Sequence, residues 1–449
     1  MTDAERLSIF ESMPVRSAVR RQIVPAVISQ MIALIYSLAD TYFVGLLNSP
    51  VQTAAVTVSY SSFVMLTAIS NLFGVGGAGA LSRALGRREN DAACDVASVA
   101  FWFGLGMSIL YSGVFAVFAR PILYLAGATD ATWGATLGYA RWVVVIGGPG
   151  TILSTLLANL LRAEGNAGKA SFGMSLGGVL NILLDPLLIL PQFAGLGAAG
   201  AGLATAISSG VSALYLLYVA ASKHSLLSLP LRRLSRTKRY IGRILKVGFP
   251  SALQYALTVV AIAAQAKFVS RYPTEAVAAL GIVKKLDQLP LYFSIGVSSG
   301  LLPLLAYTDS AGNIVRRRAS FRYGCAISLG FALLCLAVYE CFAEPLSSVF
   351  MQDRSTVTYA AAFLRRMVVA MPLMSVAYPM IIQFQAMGRV KEALICSVLR
   401  KGILDIPLLF LMDALLPLYG LMWVQPIVDL ISLSVAICFY LRLRRKEPI

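Results

Sequence analysis

Apolar residues along this chain gather into twelve long runs, roughly 22–46, 52–82, 94–119, 133–161, 170–191, 198–221, 242–270, 276–306, 320–343, 357–386, 392–412 and 419–441. A helix of about 20 residues rises about 30 Å, the hydrocarbon thickness of a bilayer. The pattern predicts an all-α polytopic membrane protein with twelve spanning helices. The longest polar interruption, Lys223 to Lys246, divides the runs into six and six. That division gives a first lobe over 1–222, a cytoplasmic basic linker over 223–241 and a second lobe over 242–449.

The two halves look alike. Ile-Val-Pro25-Ala opens the first and Gly-Phe-Pro250-Ser the second. Ala119-Arg-Pro121-Ile matches Ala343-Glu-Pro345-Leu, and Tyr139-Ala-Arg141 matches Phe363-Leu-Arg365. Arg162-Ala-Glu-Gly165 matches Gln385-Ala-Met-Gly388, and Asn181 to Asp185 matches Lys401 to Asp405. Each pair is weak alone, but all keep one order at a nearly constant offset. Six spans per half make both halves enter the membrane from the same side. The expected architecture is two pseudo-symmetric six-helix lobes around a central cleft, related by an axis along the membrane normal.

Composition agrees with this reading. The 449 residues are 58% hydrophobic and 13% charged, with a mean hydropathy of +0.76, whereas soluble domains carry about 25% charged residues. Residues Met1 to Ser12 are polar and no cleavage site follows a short apolar core, so the first span is the expected targeting signal. The net charge of +17 raises the question of nucleic acid, but the distribution answers it. Twenty-nine of the 38 Lys and Arg fall in alternate loops, on one side of the spans, among them Arg6, Arg83, Arg88, Arg162, Lys223, Arg233, Arg316, Arg389, Arg400, Lys401 and Lys446. The opposite loops 48–52 and 191–198 hold none. This is the positive-inside bias, and it places both termini in the cytoplasm. The expected partners of the basic charge are anionic lipid headgroups, with no nucleic acid. Six cysteines show no paired spacing, and the single histidine, His224, lies in the central basic loop. Neither a disulfide framework, a metal cluster nor a cofactor is expected.

The chemistry lies in the few charges inside the spans, because a charge near the bilayer centre costs about 2.5–3.5 kcal/mol on insertion scales. Asp40 stands 15 residues past Pro25, and Asp185 stands 16 past Lys169. At 1.5 Å per residue both lie about 22–24 Å from the cytoplasmic end. Tyr36 and Asn181 each precede one of these carboxylates by four residues and so share its helix face. Span 6 runs the other way and brings Thr205 to a comparable depth. Asp40, Asp185, Asn181, Tyr36 and Thr205 are therefore placed to converge. Two carboxylates in one apolar pocket repel, so such a pair suits a held proton, or a sodium ion at Asp40, Asn181, Asp185 and Thr205. Pro186 denies an N–H to the Ile182 carbonyl, leaving a spare ligand or a bend. The bland alternative is two separate acids in helix–helix hydrogen bonds.

The second half departs from this pattern. By the repeat, Asp40 falls on Gln265 and Asn181 on Lys401, while Asp405 remains. Lys284 and Asp287, and likewise Gln425 and Asp429, sit one helical turn apart and can pair on one face. Gln265, Lys284, Asp287, Asp405, Gln425 and Asp429 read either as a cleft lining, with switching salt bridges, or as structural pairing between helices. Gly74-Val-Gly76-Gly-Ala-Gly79 has the G-x-G-x-x-G form, but no strand precedes it. Close helix packing explains it better than a nucleotide site, and the glycines from Gly195 to Gly202 read the same way.

The runs Ile35-Tyr36-Ser-Leu-Ala-Asp40-Thr-Tyr-Phe-Val-Gly45, Asn71-Leu-Phe-Gly-Val-Gly76, Leu161-Arg-Ala-Glu-Gly165-Asn and Leu180-Asn181-Ile-Leu-Leu-Asp185-Pro186 together resemble the multidrug and toxic compound extrusion family. The likeness covers nearly the whole chain and is closest to its prokaryotic DinF-like and MepA-like branch. The resemblance implies a twelve-helix, V-shaped transporter in a bacterial plasma membrane, expected to act as a monomer. It implies export of cationic or amphipathic compounds against protons or sodium, without a cofactor. In DinF-like members the first-lobe acids carry coupling, and those positions match Asp40, Asn181, Asp185, Thr205 and Tyr36. Ala33 and Ala158 stand where some relatives carry polar residues, and Gln254 and Gln265 are neutral where another branch has an acid. A lipid-linked oligosaccharide flippase of the same superfamily is the rival, kept open by Lys284, Lys285, Arg365 and Arg366. A membrane enzyme is disfavoured, since no nucleophile–base set lies within the spans.

Overall fold

A computed structural model describes residues 8–222, 225, 227, 229–351 and 353–447. Arg6, Lys223 and His224 lie outside these residues, as does the side chain of Lys446.

The chain is almost entirely helical. In order, α1 is Val15–Gly45, α2 Pro50–Gly86, α3 Asn90–Leu125, α4 Trp133–Ala140, α5 Gly148–Ala163, α6 Ala167–Ile189 and α7 Ala198–Ala221. After a short 3-10 turn, Leu231–Arg236, come α8 Thr237–Val269, α9 Thr274–Ser310, α10 Ile314–Cys341 and α11 Ala343–Ser348. Then follow α12 Arg354–Met367, α13 Ala370–Ala386, α14 Val390–Val398, α15 Asp405–Leu415 and α16 Gly420–Lys446. Among the described residues nine helices are long and apolar enough to cross a membrane, and two bent pairs bring the number to eleven.

Three expected spans are broken, and glycine or proline marks each break. The span expected at 133–161 is α4, a π-helical stretch Arg141–Ile146, and α5, bent by 45°. Gly147-Gly148-Pro149-Gly150 lies at the bend, where proline cannot donate to the preceding turn. The span at 357–386 bends by 46° between α12 and α13, where the ring of Pro372 opposes the carbonyl four residues back. The span at 392–412 divides at Lys401 (φ −138°, ψ 106°) and Gly402 (φ +133°, ψ −81°). A φ of that sign is tolerated by glycine and strained for other residues. Pro186 produces no such break, for α6 runs on to Ile189. What it leaves is the Ile182 carbonyl without its usual donor.

The two halves meet along two long antiparallel pairs, α1 with α9 and α2 with α8. Glycine sets the closeness of both. A Cβ on Gly248 would overlap the Leu72 carbonyl, and one on Gly76 would overlap that of Ile244. A Cβ on Gly296 would lie 2.7 Å from Val27 Cα, and one on Gly300 2.7 Å from the Gln22 oxygen. The glycines from Gly74 to Gly79 thus do serve helix packing. Gly195 and Gly197 do not: with φ of +65° and +59° they form the turn before α7. All these close contacts lie at the basic end of the helices. There Arg83 also donates to the carbonyls of Gln385 and Ala386, capping the C-terminal end of α13 with positive charge. Residues 8–11 tuck beneath: Ile9 and Phe10 are buried, Phe10 stacks on Tyr307, and Tyr307 Oη donates to Glu11 at 2.6 Å.

The linker is tied down. Buried Asp95 of α3 pairs with Arg233 at 2.6 Å and Arg236 at 2.8 Å, and Trp102 Nε1 donates to the Leu229 carbonyl at 2.9 Å.

Candidate functional site

The sequence candidates fall in two clusters within the described spans, one in each half.

The first is built on α1, α4, α6 and α7. Gly177 and Gly178 let α6 approach both neighbours. A Cβ on Gly178 would lie 2.6 Å from Ile32 and 3.3 Å from the Tyr36 ring, and one on Gly177 would press on Ser212 of α7. This closeness brings Asp40 of α1 within electrostatic reach of Asp185 of α6, with Tyr36 in reach of both. Asn181, one turn before Asp185, donates from Nδ2 to Thr205 Oγ1 at 3.4 Å. The structure thus brings together the five residues that depth and helix face had grouped. Asp185 and Asn181 are buried. Both Asp185 carboxylate oxygens, Asp40 Oδ1 and Asn181 Oδ1 lack a hydrogen-bond partner. Four buried oxygens without donors form an environment that a cation would satisfy, since unpaired buried acceptors are expensive.

Two neighbours escaped sequence reasoning. Tyr139 of α4 is buried and lies in electrostatic reach of Asp40, Tyr36 and Asp185. It lies two residues before the π-helical stretch, a feature frequent beside functional sites. The signal was there, a polar aromatic seven residues into a span, but it served only as a repeat marker. Lys285 of α9 donates from Nζ to Thr41 Oγ1 at 3.1 Å and lies in electrostatic reach of Asp40. It therefore joins the first-half carboxylates across the junction, not its sequence neighbour Lys284.

The second cluster corrects several expectations. Arg400 and Lys401 were counted among loop cations, but both lie within the broken span. Arg400 is buried, pairs with Asp429 at 2.9 Å and stacks over the Tyr378 ring at 4.2 Å. Lys401 Nζ donates to Gln425 Oε1 at 2.5 Å. Asp429 is thus consumed by Arg400, and Lys401 takes up Gln425. Lys284 and Asp287 attract each other but form no ion pair among the described residues; Lys284 also senses Lys401, Asp405 and Asp429. Asp405 Oδ2 accepts the N–H of Gly402 at 2.8 Å, bracing the helix break. Gln265 donates to the Leu421 carbonyl at 3.3 Å. Gln265, Asp405 and Asp429 are buried, and Gln265, Lys284, Asp405 and Gln425 line one small cavity with Lys401. Of the flippase candidates, Arg366 donates to the Ala362 carbonyl and lies over the Tyr419 ring at 4.4 Å, while Arg365 is exposed.

Comparison with known proteins bears on both clusters. The MatE family model matches residues 25–187 and again 250–411. The multidrug export protein MepA of Staphylococcus saprophyticus is 29% identical over 440 residues, spanning 97% of this chain and 96% of that one. MepA of Staphylococcus aureus strain NCTC 8325 is 28% identical over 439 residues, with 97% and 96% covered. A solved structure described as the outward-facing conformation of a multidrug resistance MATE family transporter of the MOP superfamily superposes with a TM-score of 0.92 at 22% identity. It covers 98% of this chain and 99% of that one.

Proposed function

We propose that this chain, which belongs to the MatE family, is a secondary transporter that exports cationic or amphipathic compounds in exchange for protons or sodium ions. The observation that carries the reading is the set of unpartnered oxygens on Asp40, Asp185 and Asn181. Two carboxylates face one ammonium, that of Lys285, so the site is short of one positive charge. A proton or a sodium ion supplies it. The names of the MepA relatives support drug-like small molecules as cargo.

The cycle is alternating access between two lobes, residues 1–222 and 242–449, joined by the linker 223–241. In the outward-open state the ion enters at Asp40 and Asp185 and neutralises the excess charge. Tyr36 and Asp40 lie on α1, so ion binding changes the packing of α1 against α6 and α9. That shift displaces the exported compound, and the lobes rock to release the ion inward. The ion must favour one state, because equal affinity for both shifts nothing. The charge distribution along the chain supports cytoplasmic termini, the multidrug-export relatives support a plasma-membrane location, and the chain is taken to act as a monomer. A lipid-linked oligosaccharide flippase is less well supported, since Lys284, Arg400 and Lys401 face Asp287, Asp405 and Asp429.

The test is efflux of a fluorescent organic cation from proteoliposomes under separately imposed proton and sodium gradients. One gradient is expected to drive efflux, and Asp40→Asn is expected to fold normally and abolish it. Efflux under neither gradient, or wild-type efflux in Asp40→Asn, would overturn the reading.

A further inference from the structure

We infer that the second half contains the symmetry mate of the first-half ion site, and that the ammonium of Lys401 fills it as a resident, tethered cation. The inference deepens the reading of the first-half site as a cation site and rests on it.

Five positions carry the argument. At offsets of 220 to 225, Tyr36 corresponds to Ala261, Asp40 to Gln265, Asn181 to Lys401, Asp185 to Asp405 and Thr205 to Gln425. All five second-half residues line one cavity, together with Lys284. The repeat is thus a spatial one: the same five positions converge in each half. A hydrogen bond repeats as well. Asn181 donates to Thr205 in the first half, and Lys401 donates to Gln425 at the matching positions in the second.

The differences all act in one direction. Aspartate becomes Gln265, which removes a negative charge. Asparagine becomes Lys401, which adds a positive one. Tyrosine becomes Ala261, which vacates space beside the longer lysine chain. The helix break at Gly402, where the counterpart α6 is continuous, gives Lys401 a conformation unlike that of Asn181. It also gives Asp405 a backbone donor, whereas both oxygens of Asp185 have none. The cavity that remains holds about 10 Å³, room for at most one water. Formal charge gives the same answer. The first cluster sets Asp40 and Asp185 against Lys285. The second sets Lys284, Arg400 and Lys401 against Asp287, Asp405 and Asp429 and sums to zero. A buried cluster already neutral has no electrostatic demand for another ion. One chain therefore carries one exchangeable cation site, and its duplicate is permanently closed.

The probe is methylammonium, the head of the lysine side chain as a free ion. Full-length protein in lipid nanodiscs carries Asp40→Asn and Asp185→Asn throughout, so that the first-half carboxylates contribute nothing. In this background Lys401→Ala is expected to unfold at a lower temperature. Millimolar methylammonium should restore most of the loss saturably, and N-methylglucamine, too large for the space, should not. The protein that retains Lys401 is expected to show no saturable response. Absence of a methylammonium response in Lys401→Ala, or an equal response with Lys401 present, overturns the inference. If Lys401→Ala does not fold, Lys401→Asn, which copies the first-half residue and keeps a partner for Gln425, carries the same measurement. The first-half reading fails separately, by Asp40→Asn efflux in protein with Lys401 intact.

Discussion

Asp185→Asn separates the cost of the first-half site from its use. In the ion-free protein Asp185 is buried and neither carboxylate oxygen has a donor. Asp40 lies beside it, and Lys285 is in electrostatic reach of Asp40, so among the described residues two carboxylates meet one ammonium and one negative charge is uncompensated. A charge at that depth costs about 2.5–3.5 kcal/mol on insertion scales. The amide keeps the shape and removes the charge, but its own unmet hydrogen bonds return about 1–2 kcal/mol. The net expectation is that Asp185→Asn is more stable than wild type by about 1–2 kcal/mol when no coupling ion is present. Wild type should recover the difference on ion binding, since a ligand at 100 times its Kd stabilises by about 2.7 kcal/mol. The assay is thermal unfolding in nanodiscs, with sodium titrated at fixed pH and pH varied at fixed sodium. Wild type should respond to one of the two titrations and the variant to neither. An ion-free variant no more stable than wild type, or one that keeps the full ion response, would refute the charge-deficit argument.

Four further outcomes are expected. Gly248→Ala forces a Cβ into the Leu72 carbonyl and should lower stability by about 3 kcal/mol. Gly242→Ala, with open space around it in the same helix, should be neutral or slightly stabilising; equal melting temperatures for the two would count against glycine-set packing. Arg400→Met strands a buried Asp429 and should cost about 3–5 kcal/mol, most of it regained in Arg400→Met/Asp429→Leu; a double variant as unstable as the single one would contradict this. Lys285→Met deepens the charge deficit around Asp40 and should tighten coupling-ion binding by roughly tenfold, measured as the ion concentration for half-maximal efflux; weaker binding would be the contrary result. Burial would raise the Glu447 carboxyl, but Arg317 and Arg318 outweigh it and hold the group below its ordinary value. Its contribution to anchoring the C-terminus is then complete above about pH 4.3 and is lost as pH falls through the lowered value, so hydrogen exchange at residues 440–447 should rise only in strong acid.

Much of this was legible in the sequence because hydropathy and helix geometry are local. Asp40, Tyr36, Asn181, Asp185 and Thr205 share a depth, and depth follows from counting residues along a rigid helix. The breaks were harder, since hydropathy averages over a window in which one Gly402 or Pro372 hardly registers. The same averaging misled the placement of Arg400 and Lys401. A basic pair beside Arg389 and Lys391 counts toward a loop unless carboxylates from other helices are known to meet it, and Asp405 and Asp429 do so only after folding. The place of Lys285 was hidden for a related reason. It read only as one of the cations that kept the flippase alternative open, and its partner Thr41 comes from the other half across the α1–α9 crossing.

The distribution of contacts limits how far ion binding alone can drive the transition. At the basic end the halves are held by backbone-to-backbone packing at Gly76, Gly248, Gly296 and Gly300, and by Arg83 on the carbonyls of Gln385 and Ala386. Toward the opposite end Lys285 on Thr41 links α9 to α1. Neutralising Asp40 weakens the hold on Lys285. Two unit charges at 4 Å and an effective dielectric of 20 attract by about 4 kcal/mol, and Lys285 and Asp40 form no ion pair within that distance, so their attraction is smaller. Moving an equilibrium from 1:99 to 99:1 takes about 5.5 kcal/mol. The electrostatic release therefore falls short of a complete switch. The rest must come from repacking α1 where Gly178 of α6 meets Ile32 and Tyr36. Bulk added at Gly178 should accordingly impair ion-driven efflux while leaving Asp40 and Asp185 chemically intact.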